Sequence, residues 1–381
     1  MKKHVLKLAV MLMSIACFTA CSDSDSDTPT TPVYVSNGFY LVCSGNTSSG
    51  IDGCLTYFDY SAGNGIVDAF KAANGKSLGQ TVNDAFHYGN KLYIVVDGEH
   101  KVFVTNVKDF KLIGTIDMTA GTMLGEQDGA HPRRITANEG NIYVSTYGGY
   151  VAAIDTINFA LKQKYKAGSY PEGIAVHDGY LYVANSDYGM GANPSISKIN
   201  LTTGADTPFV NENIRNPQEI AVAGTFIYYL DFGQYGPAPT YAQENAGVYR
   251  IDNTGKVMCV VPNATAMATS TYDIYTINAP YGQGDVSYSV YNIQTGSRKS
   301  FTPANVESPA CIGVDPVTQN VMIASYHMMQ TDWGPFADYS NGGYVNIYDP
   351  TVTTTVKTFN CGVGPQRFSY NLDVKYVPYT Y

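Results

Sequence analysis

The chain contains no long hydrophobic run. Its most apolar stretch, Leu8 to Phe18, follows Lys2, Lys3 and Lys7 and, at about eleven residues, is too short to span a bilayer. Charge is scarce: 14% of residues are Asp, Glu, Lys or Arg, the formal net charge is −9, and no Lys/Arg cluster follows the N-terminal region. Nucleic acid and anionic membrane surfaces are poor partners for such a chain, because both select clustered positive charge. Tryptophan occurs once, at Trp333, and histidine six times. No CxxC pair or Cys/His cluster has zinc spacing, so no metal site is expected. The lack of a GxSxG elbow or HExxH helix removes two common hydrolase signatures. No catalytic residue and no catalytic cofactor are expected, and the chain reads as a non-enzyme.

What is present begins with an address. The apolar run ends in "FTAC", where small residues precede Cys21, and this resembles the lipobox of bacterial lipoproteins. Residues 1–20 then form a signal peptide and Cys21 is the lipidated residue. The plainer alternative is a secretory signal in which Cys21 has no role. Residues 21–32, with "SDSDSDTPTTP", are too polar and acidic to join a core and read as a solvated tether. The acidic segment also resembles the export signal that sends lipoproteins of Bacteroidota to the outer face of the outer membrane. Membrane attachment would come from the lipid alone.

Residues 33–381 read as one all-β domain. Thirty-two Tyr and 37 Gly sit among many short runs rich in Val, Ile and Tyr, residues that suit a pleated, buried surface. One strand signature recurs as "FYLV" at Phe39, "LYIV" at Leu92, "IYVS" at Ile142, "LYVA" at Leu181, "IYYL" at Ile227, "IYTI" at Ile274 and "VMIA" at Val321. The spacing, roughly 40 to 50 residues, is that of propeller blades. A strand starting near a proline precedes most copies, as in "HPRRITA", "YPEGIAV", "NPQEIAV" and "SPACIGV". A third strand closing in Asp or Asn and a more polar fourth strand follow. Four short antiparallel strands, seven times over, predict a seven-bladed β-propeller. "GPQRFSYN" near the C-terminus is one more innermost strand, and the N-terminal unit lacks one, so the C-terminal strand should complete the first blade. Two separate β-sandwiches are the alternative. Such a closed ring would be monomeric on its own, having no free strand edge.

Of the remaining cysteines, Cys43 and Cys54 lie where paired strands could bring them face to face, so a disulfide is possible. Cys259, Cys311 and Cys361 have strand-like apolar surroundings and are expected as buried thiols.

Packing between blades dictates strand composition, which leaves specificity to the loops. The long connections lie between second and third strands, and ahead of innermost strands; both classes open on one end of the ring. They are rich in Tyr, Asn, Gln and Gly, as in paratopes, and suit a planar or apolar ligand with a neutral polar fringe. The candidate ligand-binding residues are Tyr147, Asn185, Tyr188, Asp231, Tyr235, Tyr281 and Trp333 in these loops, with His131, Arg133, Glu172, Glu219 and Arg367 near the channel mouth. Each loop aromatic could instead pin its loop, and the charged set, with Arg134, could be a ring of salt bridges stiffening the mouth. His100, His131 and His327 read as scattered surface histidines. A calcium-dependent lactonase-like site built from Glu172, Asn185, Asp231 and Glu219 is an alternative with no diagnostic spacing.

The signature "PEGIAV…GYLYVAN…SISKINLTTG" resembles the YncE-like, YVTN-type propellers over nearly the whole mature chain. With "FTAC-SDSDSD" it is similar to the surface propeller lipoproteins of Bacteroidota, most of all the BtuG-like cobalamin-binding group. That resemblance implies capture of a corrinoid (vitamin B12) outside the cell as a bound ligand, and transfer to a BtuB-like TonB-dependent outer-membrane transporter. It carries no contact residues over. The alternatives are a surface module for another ligand such as a glycan, and the metal-dependent hydrolase.

Overall fold

A computed structural model describes residues 30–119, 131–332 and 334–378. Cys21, the leader and most of the tether lie outside the described residues, as does Trp333. Among the described residues no helix is long and apolar enough to cross a membrane.

The structure is all-β and propeller-like: six four-stranded antiparallel sheets, one three-stranded sheet and two short hairpins. In chain order the second sheet is typical. Its innermost strand Val82–Tyr88 pairs with Lys91–Val96, which pairs with Lys101–Asn106 and then Leu112–Asp117. The third, fifth, sixth and seventh sheets repeat this order, starting at Pro132, Pro217, Ala266 and Ser308. The fourth starts at Pro171 and has three strands; its outer edge is met only by isolated bridges from Phe209 and Asp206.

The first sheet is assembled from both ends of the described chain. The strand Pro365–Pro378 pairs antiparallel with Thr30–Cys43, and Cys54–Asp59 and Asn64–Ile66 complete the sheet. The N-terminal strand starts at Thr30, ahead of the expected domain start at Val33, because Thr30–Pro32 pair with Tyr376–Pro378.

A buried cluster fills the space between each sheet and the next. Tyr40 and Leu55 of the first sheet meet Leu92 and Ile94 of the second, and similar clusters follow between later neighbours. Phe39, Leu41 and Phe58 return to meet Met322, Ala324 and Val345 of the seventh sheet. Because both faces of most sheets are covered, the middle strands read as continuous apolar runs rather than alternating ones. Prolines 132, 171, 217, 309 and 365 fall at or near the start of innermost strands, where a missing N–H costs little.

The recurrent Asp or Asn after the third strand has a local cause. Asp59, Asn106, Asp155, Asn200, Asp252, Asn292 and Asp349 each accept backbone N–H bonds from residues two to five further on, at 2.8 to 3.2 Å. The side chain thereby closes the turn into the fourth strand. These turns occupy one end of the sheets and are short.

Two expectations about thiols change. Cys43 and Cys54 are directly opposite in paired strands, yet both are free, as is the nearby Cys361. Burial first raises the Cys43 pKa; the neighbouring Cys43 thiol, then burial, raise that of Cys54. Cys311 and Cys361 are buried, whereas Cys259 is exposed because it lies on the fifth sheet's outermost strand, Val257–Pro262.

Candidate functional site on the loop-bearing end

Antiparallel order puts the second-to-third connections and the lead into each innermost strand at the same end of a sheet. Neighbouring innermost strands begin side by side: Arg134 Nη1 donates to Asn83 O (2.7 Å), and Asn83 Nδ2 to Pro132 O (3.1 Å). The long loops therefore share one end of the molecule. The exposed aromatics follow them: Tyr170, Tyr188, Tyr235, Tyr241, Tyr281, Phe336 and Tyr339 are all there, and only Tyr376, among the described exposed aromatics, lies elsewhere.

The charged residues predicted for the channel mouth form linked ion pairs. Arg133 donates Nη1 to Asp97 Oδ2 (2.8 Å) and both Nε and Nη2 to Glu172 (3.1 Å). Its guanidinium also lies 4.3 Å from the Tyr147 ring centroid, and Tyr147 Oη donates to Glu172 Oε1 at 2.5 Å. Burial works against the Arg133 charge, but Glu172, Tyr147 and Asp97 outweigh it and raise its pKa. Burial, then the Glu172 carboxylate, raises the Tyr147 phenol.

In a second set Arg367 of the first sheet joins Asp84 of the second (3.0 Å) to Glu219 of the fifth (2.7 Å). Burial opposes the Arg367 charge, and Glu219 with Asp84 more than offsets it. The Asp84 pKa is nevertheless raised, since its burial outweighs Arg367 and Arg134. Arg133, Glu172, Glu219 and Arg367 are thus held in two separate sets of ion pairs, while Arg134 bonds a backbone carbonyl.

Both arginines of these ion pairs line a cavity of about 760 Å³. Arg133, Arg134, Asn83, Gln218, Glu219, Gln366 and Arg367 give it polar walls, and Tyr326 and Tyr339 stand at its rim. Arg134 Nε and Gln366 Oε1 have no protein partner.

The loop aromatics are held from beneath. Tyr147, Tyr170 and Tyr188 form one cluster, with centroids 5.0 to 5.9 Å apart. Asp187 fixes the Tyr188 loop by accepting from the amides of Ala192 (2.8 Å) and Asn193 (3.0 Å). Buried Gln243 locks two loops together: it exchanges bonds with Tyr281 (2.7 and 3.1 Å), and its Nε2 donates to Phe232 O. Tyr235 stands on the hairpin Gln234–Tyr235 with Gln243–Glu244. A second hairpin, Met328–Thr331 with Gly334–Ala337, carries Phe336, and Asn46 Nδ2 ties the same loop through Tyr339 O (2.9 Å).

Three predicted ligand residues are not placed to bind, the first being Glu172, 2% exposed and held by Arg133 and Tyr147. Asn185 is fully buried and spent on Gly168 N, Ser195 Oγ and Ser197 Oγ, each at 3.0 Å. Asp231 is fully buried and accepts from the amides of Arg215, Asn216 and Gly233 at 2.7 to 2.9 Å. Both end a second strand, where a short polar side chain caps the loop. Of the four residues of the lactonase alternative, Glu172 and Glu219 are engaged by different arginines and Asn185 and Asp231 are buried in local hydrogen bonds. The histidines are not all scattered: the His100 and His131 rings are 4.8 Å apart and His131 Nδ1 lies 2.8 Å from Asp97 Oδ1. His327 stands apart with Glu307 (3.2 Å).

Asp97, Asp84, Tyr170, Gln243 and Tyr339 were missed at the sequence level. For Asp97 a signal existed: it follows its second strand as Tyr147 does, so superposing the repeats would have put it at the mouth.

No family model matches the chain, and no curated protein matches it. Solved structures resemble it in fold. Hydrazine synthase of Kuenenia stuttgartiensis aligns at TM-score 0.55 and 14% identity, covering 78% of this chain and 95% of that one. U3-55K aligns at 0.51 and 8%, covering 72% and 80%. The computationally designed Ika8 protein aligns at 0.50 and 12%, covering 77% and 79%. At these identities the likeness is one of fold alone.

Proposed function

We propose that the seven large sheets are the blades of a closed β-propeller whose loop-bearing end captures a corrinoid and presents it to a TonB-dependent outer-membrane transporter. In this reading the protein is held to the cell exterior by lipid on Cys21 and performs no chemistry on its ligand. The core cluster that joins the seventh sheet to the first supports closure of the ring. The observation that carries the binding reading is the concentration of exposed aromatics on the loop-bearing end, of which Tyr339 also lines a polar-walled cavity. A corrin is a broad ring fringed with amides; tyrosine faces suit its apolar surface, and Gln, Asn and Arg groups suit the fringe. Loops pinned by Asp187, Gln243 and Asn46 need little ordering on encounter, which favours affinity.

The test is to mix the purified protein with cyanocobalamin and separate free ligand by gel filtration. A coloured protein peak is expected, and a colourless one rejects the corrinoid.

A further inference from the structure

The geometry points to a divalent transition-metal site, zinc in the first place, formed by Asp97, His100 and His131 on the loop-bearing end. The donor atoms of these three residues lie within 4.8 Å of one another. Donors on one tetrahedral zinc are about 3.3 Å apart, given bonds of ~2.0–2.1 Å, so closing the site needs only a small contraction.

The donor types also fit. His131 Nδ1 lies 2.8 Å from Asp97 Oδ1, and His100 Nδ1 accepts from the His131 amide at 3.2 Å. That bond places His100 Nδ1 beside the same small space, and ligation would exchange the amide bond for the ion. An ion there takes the place of the proton that the His131 ring and the Asp97 carboxylate now share. Imidazole nitrogen with one carboxylate suits borderline ions such as zinc better than calcium or magnesium.

Arg133 is the objection, because it binds Asp97 through the other oxygen, Oδ2, at 2.8 Å. Its charge is already answered by Glu172 at 3.1 Å, so Asp97, Glu172 and Arg133 together leave a net negative charge beside the histidines. Arg133 then serves to orient Asp97, as outer partners orient metal ligands. His131 is exposed and His100 half-buried, which gives an ion access and leaves room for water as a fourth ligand. The site would tie the second sheet's loop to the lead into the third. It adjoins the tyrosine cluster, the His131 ring lying 6.2 Å from that of Tyr147, and metal retention is read without any ligand on the tyrosine-bearing loops.

The full chain should be dialysed against zinc chloride, freed of loose metal and assayed for retained zinc, with cobalt(II) absorption reporting the ligand geometry. One zinc per chain and a tetrahedral cobalt band are expected, with at least a tenfold loss of affinity in His100→Ala and in His131→Ala. A wild-type protein that keeps no zinc would overturn the site. So would equal retention by the His100→Ala/His131→Ala double variant, since the metal would then reside elsewhere.

Discussion

Glu172 shows how much one side chain at the channel mouth carries. It is 2% exposed and receives two donors from Arg133 and one from Tyr147. Deleting it leaves a mostly buried guanidinium with Asp97 alone, and an uncompensated buried charge is costlier than a missing pair. Glu172→Ala should destabilise the fold by about 3 kcal/mol. Adding Arg133→Met should restore part of that loss, and urea unfolding of the single and double variants measures both. Tyr147 is bound into the same network, so it acts first as scaffold and only with its remaining face as contact surface.

At the scale of elements, innermost strands approach closely where side chains vanish. A Cβ on Gly173 would come within 2.7 Å of Glu219 Cα and 2.8 Å of Gln218 O. Those are backbone atoms of the next sheet, so relief requires the sheets to separate. Gly173→Ala should therefore cost about 2 kcal/mol or more, read as a lower urea midpoint with an unchanged slope. The hairpin beginning at Met328 shows a pH effect of definite sign. The Met328 amide donates to Glu307 at 2.9 Å, and this bond, helped by His327, outweighs the opposing effect of burial and holds the Glu307 carboxyl below its ordinary range. Because the folded pKa is the lower one, that anchoring is complete above the unfolded value near ~4.3 and is lost as pH falls through the folded value. Amide-exchange protection at Met328 should fall over that window in the wild type, and Glu307→Gln should abolish the dependence.

The strands were legible in the sequence because their pattern follows from packing that repeats. Leu92, Ile142 and Leu181 occupy one structural position and are all buried. Asp59 and its counterparts were legible as strand endings, though their bonds to the turn were not. The short helix Ala69–Asn74, the two loop hairpins and the three-stranded fourth sheet break the repeat, so no periodicity announced them. Asn185 and Asp231 were misread as ligand contacts because a buried cap and a recognition side chain have the same composition. Asp97 and His100 share one loop of the second sheet while His131 leads into the third, and only the meeting of these neighbouring segments brings the three together.

For the whole molecule, the test is whether the two ends differ in use as they do in dress. Tyr188 and Tyr281 are 64% and 62% exposed, so replacing either by alanine should change stability by no more than about 0.5 kcal/mol. Retention of cyanocobalamin should nevertheless fall at least tenfold in the double variant, measured by equilibrium dialysis.

The strand Thr30–Cys43 begins at the plain end and delivers Cys43 to the ornate one. Fourteen residues of strand span about 45 Å, while the nine residues from Cys21 to Thr30 reach at most ~30 Å when extended. On the proposed lipid anchor the loop-bearing end would look away from the membrane, so that cargo would be caught facing the surroundings and delivery to the proposed transporter would require the domain to capsize on its leash.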